Sequence, residues 1–150
     1  MNTAYGWLKF LHVAGVIGWL GGAAALAILN VLTSKRPTAG SVKTFVEYAQ
    51  GLGARMLGPA AGVALLAGVG TMLVGHLGMP LWIVWAIIAT VLFILVGVLM
   101  LRPVLQRLTT AAAAGAGEAE LSALLRRQRM LMAINLVLLL TALWAMVAKP

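Results

Sequence analysis

Residues 5–32 read YGWLKFLHVAGVIGWLGGAAALAILNVL, an apolar run broken only by Lys9 and His12. As an α-helix it would extend roughly 40 Å, more than the ~30 Å hydrocarbon core of a bilayer. It has no polar face with which to meet water, so it predicts a membrane-spanning helix. Comparable runs follow at 59–77, 81–101 and 130–147. The expected fold is all-α: a polytopic membrane protein built as one four-transmembrane-helix bundle over residues 1–150, with connections at 33–58 and 102–129.

Composition agrees. Hydrophobic residues make up 63% of the chain and charged residues 9%, and the mean hydropathy is +1.04. A chain of this size could not bury that much apolar surface in its own core, so lipid must cover the rest. The net charge of +8 does not imply nucleic acid, because the basic residues flank the apolar runs and form no continuous face.

Within the connections, 41–57 places Val42, Phe45, Val46, Ala49, Leu52 and Met56 at helical spacing. That pattern predicts a short helix lying at the interface or extending the next span. Pro59 suits the first position of the second span, where its missing N–H would be unpaired anyway. Gly78-Met79-Pro80 predicts a tight turn, and Pro80 opens the third span. Beyond Arg102 the helix is expected to continue toward Thr110, bent by Pro103. Residues 111–117 form the hairpin tip, and Glu118 and Glu120 suit the first turn of the fourth helix.

Orientation follows from the basic residues. Lys35, Arg36, Lys43 and Arg55 lie in the first connection, and Arg102, Arg107, Arg126, Arg127 and Arg129 in the last; the turn between spans two and three has none. Lys9 and Lys149 sit near the ends. The positive-inside rule then puts both connections in the cytoplasm of a bacterial inner membrane and both termini outside. Trp7, Tyr5, Trp82, Trp85 and Trp144 fit an outer aromatic belt.

The chain has no Cys and no Asp, and its only acids, Glu47, Glu118 and Glu120, lie in the connections. Thiolate metal sites, a Ser–His–Asp set and an in-membrane carboxylate relay are therefore excluded. The chemistry-bearing candidates are few. His12 lies on one helical face with Trp19 and Ala23, beside Gly15 and Gly22, a surface that a flat macrocycle or another helix could approach closely. His76 is expected at the outer end of the second span, with Met72 on its face at i−4. His12 and His76 could ligate haem b as a bis-imidazole pair, or His12 could pair with Met72. Lys9 could reach a propionate or simply snorkel to headgroups. Packing alone would also account for His12, as one hydrogen-bonded histidine in a small-residue seam. Gly15 and Gly22 are expected to meet Gly58 and Gly62 across the first two spans. Asn30, Thr71, Thr90, Asn135 and Thr141 read as interhelical hydrogen-bonding residues.

These residues also carry a resemblance. Trp7-Leu8-Lys9-Phe10-Leu11-His12, followed by Gly18-Trp19-Leu20-Gly21-Gly22, resembles the first helix of several small bacterial membrane families. With residues 82–97, Leu101-Arg102-Pro103, Arg126-Arg127 and Lys149-Pro150, the chain is most similar to the integral-membrane family called domain of unknown function 2269. The same first-helix pattern resembles copper-resistance D type proteins and the four-helix membrane protoporphyrinogen oxidase. The latter resemblance implies haem and a functional first-helix histidine, which His12 matches. The oxidase's later membrane lysine has no counterpart, since residues 80–87 (PLWIVWAI) contain no basic residue. That tells against the oxidase activity and leaves porphyrin binding open. The function expected is a redox role with haem b held by His12 near the outer face. The alternatives are a non-catalytic accessory or scaffold protein, alone or in a homo-oligomer or larger membrane complex, and a copper-handling or transport protein.

Overall fold

The structure is a computed structural model and describes residues 3–148, so Lys149 and Pro150 lie outside the described residues. No strand occurs among them. Six α-helices, α1 (Thr3–Ser34), α2 (Ala39–Leu52), α3 (Gly58–Val74), α4 (Leu81–Val96), α5 (Arg102–Ala113) and α6 (Glu118–Ala148), form the chain. They make four long rods, because α2 runs on into α3 and α4 runs on into α5. All four rods are long and apolar enough to cross a membrane, with mean hydropathies from 1.8 to 2.9 over their best windows.

The two joins share a cause that is visible in the sequence. Residues 53–59 read GARMLGP and residues 97–103 read GVLMLRP, the same G-x-x-M-L-x-P pattern. Each pattern folds as one wide π-turn, Gly53–Leu57 and Gly97–Leu101. The amide of Gly58 reaches the carbonyl of Gly53, and that of Arg102 reaches Gly97. A proline inside an α-helix lacks its N–H and clashes with the carbonyl four residues back. One extra residue in the turn relieves that conflict, so the helix continues. Pro59 therefore sits within a rod spanning Ala39–Val74 and opens no separate helix after a loop. Before its π-turn the first of these rods packs on α5, and beyond it α3 packs on α1. Likewise α5 packs on α2, whereas α4 packs on α6.

The best-buried cluster lies at the basic end. Val42, Phe45, Val46, Val104, Leu108, Leu121, Leu125 and Leu131 are almost wholly covered and form one core. Along the apolar spans, by contrast, side chains such as Ile17, Leu66, Leu73, Leu99, Val137 and Trp144 are exposed. Water drives apolar burial at the basic end, but lipid offers no such drive in the spans. Here the helices meet instead through small residues: Ala64, Ala67, Ala86, Ala89, Ala142 and Ala145 are all buried.

Helix ends are closed by local chemistry. Thr38 and Ser41 form a reciprocal capping box at the start of α2. At the other end of that rod, the amide of Leu77 bonds to Met72 and that of His76 to Leu73, a Schellman closure. Its left-handed position is His76, at φ 49°. The helix thus ends at Val74, short of the expected Leu77, and α4 begins directly after Pro80.

Candidate functional site: the His12 seam between α1 and α3

The α1–α3 contact is a close one, and glycine makes it possible. A Cβ added at Gly15 would stand 2.7 Å from the Ala64 nitrogen and 2.9 Å from the Ala60 oxygen, both backbone atoms that cannot swing aside. One at Gly22 would meet Leu57 at 2.8 Å. The expected seam is thus present on the α1 side. Its partners on α3 are Ala60, Ala64 and Gly68, whereas Gly62 faces open space and Gly58 meets only its own helix. Gly62 lies off the contact because, two residues from both Ala60 and Ala64, it falls about 200° away on the helix and so on another face of α3.

His12 closes this seam. Its Nδ1–H donates to the carbonyl oxygen of Ala64 at 2.7 Å. A carbonyl can only accept, so Nδ1 carries a proton, and in the uncharged tautomer with that proton Nε2 would present a lone pair. Nε2 has no partner among the described residues. It is also not sealed inside, since the fully buried polar side-chain atoms without a partner are Gln128 Oε1 and Asn135 Oδ1. The ring can lie against α3 because Gly68 has no side chain to displace it.

The other candidate residues are distributed unevenly. Lys9 is exposed on α1, one turn from His12. Met72 is half-buried on α3, one turn beyond Gly68. His76 is exposed in the turn after α3, and its left-handed backbone takes it off the face that Met72 continues. The structure therefore places Lys9 and His12 on α1 and Met72 on the facing α3, outward of the level at which His12 meets Ala64 and Gly68, with His76 further out. Among the described residues no group of three or more His, Asp or Glu could hold a metal ion.

A family of predicted integral membrane proteins, DUF2269, matches residues 6–150. The chain belongs to that family. No curated protein and no solved structure matches it. The DUF2269 match covers all four rods, so the seam and the basic core are parts of one family unit.

Polar residues elsewhere in this DUF2269 chain behave differently from one another. Asn30 is wholly buried and donates through Nδ2 to the Leu125 oxygen of α6 at 3.3 Å, a true interhelical bond. Thr71, Thr90 and Thr141 bond back to Ala67, Ala86 and Leu138 of their own helices, so the expected cross-helix role does not apply to them. A threonine hydroxyl reaches the preceding turn at no entropic cost of finding a neighbour. Trp19 is buried and meets Phe93 of α4 edge to face, with ring centroids 4.7 Å apart. Sequence reasoning found His12 but missed Ala64 and Gly68, whose roles lie in a carbonyl and in an absent side chain.

Proposed function

We propose that this protein holds haem b through Nε2 of His12 and serves a redox role near the outer face of a bacterial inner membrane. The observation that carries this reading is the ring's arrangement: Nδ1–H is fixed on the Ala64 carbonyl while Nε2 has no partner among the described residues. Ligating histidines are oriented in this way, by a backbone acceptor on the second nitrogen. If haem is bound, His12 would be the residue that holds it through Nε2. Met72 is a thioether on the facing rod, and Lys9 is a cation one turn out from His12, suited to a propionate.

When bound, haem supplies one-electron chemistry; the chain's part is to orient His12, limit access by water and place Lys9. The basic end then faces the cytoplasm, as the distribution of Lys and Arg supports. Copper handling has weaker support, because the described residues hold no cluster of metal-binding groups.

A second reading is favoured by Gly21 and Gly62, whose open sides meet nothing within 4 Å. Such glycines suit a partner helix, in an accessory protein without a cofactor. The visible spectrum separates the two. Protein expressed with haem precursor is expected to show a Soret band that His12→Ala abolishes and Lys9→Ala weakens. Colourless wild-type protein under those conditions would exclude the haem reading and leave the accessory one.

A further inference from the structure

At the basic end, the close of α1 and the first turns of α6 flank an open-sided cavity of about 300 Å³, lined by Ser34, Ala119, Ser122, Ala123, Arg126 and Arg129. Residues 119, 122, 126 and 129 share one face of α6, and the two alanines leave the space between the helices empty. The walls are pinned. Asn30 bonds across to Leu125, and the Ser34 hydroxyl donates to the Asn30 oxygen at 2.7 Å. The Ser122 hydroxyl makes no bond to a protein group.

Among the described residues neither arginine has a carboxylate partner within ion-pair reach. With three acidic residues against eleven basic ones, the chain has little with which to supply one. Two guanidinium groups and a hydroxyl, converging on one hollow, match the oxygens of a phosphate. Toward the apolar part of the bundle, Val31 of α1 and Met130 of α6 are exposed beside the cavity. Acyl chains attached to a phosphate in the cavity would lie along that surface. We infer that the cavity holds the phosphate of an anionic phospholipid, with Arg126 and Arg129 as its cationic wall and Ser122 as a neutral donor. Basic hollows between helices at headgroup level are suited to such lipids.

The test is native mass spectrometry of the full chain with phosphatidylglycerol, with phosphatidylcholine for comparison and inorganic phosphate as a separate arm. Wild-type protein is expected to retain phosphatidylglycerol in preference to phosphatidylcholine. The Arg126→Gln/Arg129→Gln double variant should lose about thirtyfold of that preference, taking roughly 1 kcal/mol per basic residue. Arg107→Gln, on the exposed side of α5, should leave it unchanged. Ala123→Leu fills the hollow without altering charge, so it must also lower retention; it carries the test if the double variant fails to fold. Unchanged retention in both cavity variants overturns the site. Displacement of the lipid by an equal concentration of inorganic phosphate overturns the lipid assignment in favour of a free anion.

Discussion

Gly68 and His12 are fitted to one another: a Cβ on Gly68 would stand 2.9 Å from the His12 Nδ1, the atom that bonds to Ala64. The ring therefore occupies the space a side chain would need, and its hydrogen bond depends on that glycine. Gly15, packed against the backbone of Ala60 and Ala64, is more constrained, because no side-chain rotation can relieve the contact. Gly15→Ala is expected to cost about 1–3 kcal/mol, the usual range for overpacking, and Gly68→Ala to displace the ring. Gly62→Ala meets nothing and should hold or raise stability, since alanine favours the helix. Thermal melts of the three variants in one detergent check the order. Equal losses at Gly15 and Gly62 would show that α3 presents a different face to α1.

His76 offers a gain. It is the only described non-glycine residue with positive φ, at the position where helices ending in a Schellman closure prefer glycine. His76→Gly should stabilise by about 1 kcal/mol, the size of the left-handed penalty for a residue with a Cβ. It should also leave any Soret band in place, because the exposed turn lies beyond the seam. A lower melting temperature, or loss of colour, would give this side chain a role that its backbone geometry does not.

The four rods were legible in the sequence because a bilayer demands long apolar runs, and residues 5–32 satisfy that demand almost without interruption. The seam was half legible. Gly15, Gly22 and His12 fall on one helical face by simple periodicity, but which face of α3 meets them is not marked by residue type, since α3 is apolar or small on every side, and the rod that carries it is widened by a π-turn at Gly53–Leu57. Only the repeat of G-x-x-M-L-x-P signals that turn, and it offers no hydrophobic pattern to follow. Ala64 acts through its carbonyl, and every residue has one, so no composition rule could single it out. His76 does lie at the outer end of the second rod, but the face it would share with Met72 does not form, because helical periodicity stops at Val74, where the backbone reverses.

The distribution of basic residues makes a prediction about the whole molecule. The core built on Val42, Phe45, Leu108 and Leu125 is surrounded by Lys43, Arg55, Arg107, Arg126 and Arg127, all of them exposed. The positive-inside rule predicts such an end on the cytoplasmic side. Reporter fusions at Ala39 and Gly115 should read cytoplasmic, and one after Pro150 periplasmic. A cytoplasmic C-terminus would invert the bundle and place the His12 seam on the inner side.

Two buried asparagines should respond in opposite ways to the same substitution. Asn30 is wholly buried and ties α1 to the Leu125 carbonyl of α6. Replacing it with leucine removes that bond and forces a branched side chain into its place, at an expected cost of about 1–3 kcal/mol. Asn135 is nearly as buried, yet its Oδ1 has no partner. An acceptor without a donor at membrane depth is a standing cost, so Asn135→Leu removes a penalty and should leave stability unchanged or higher. Chemical or thermal unfolding of both variants in the same micelle gives the comparison. Should Asn135→Leu lose as much as Asn30→Leu, the Asn135 oxygen accepts from a buried water or a partner molecule, and the centre of α6 is a binding position.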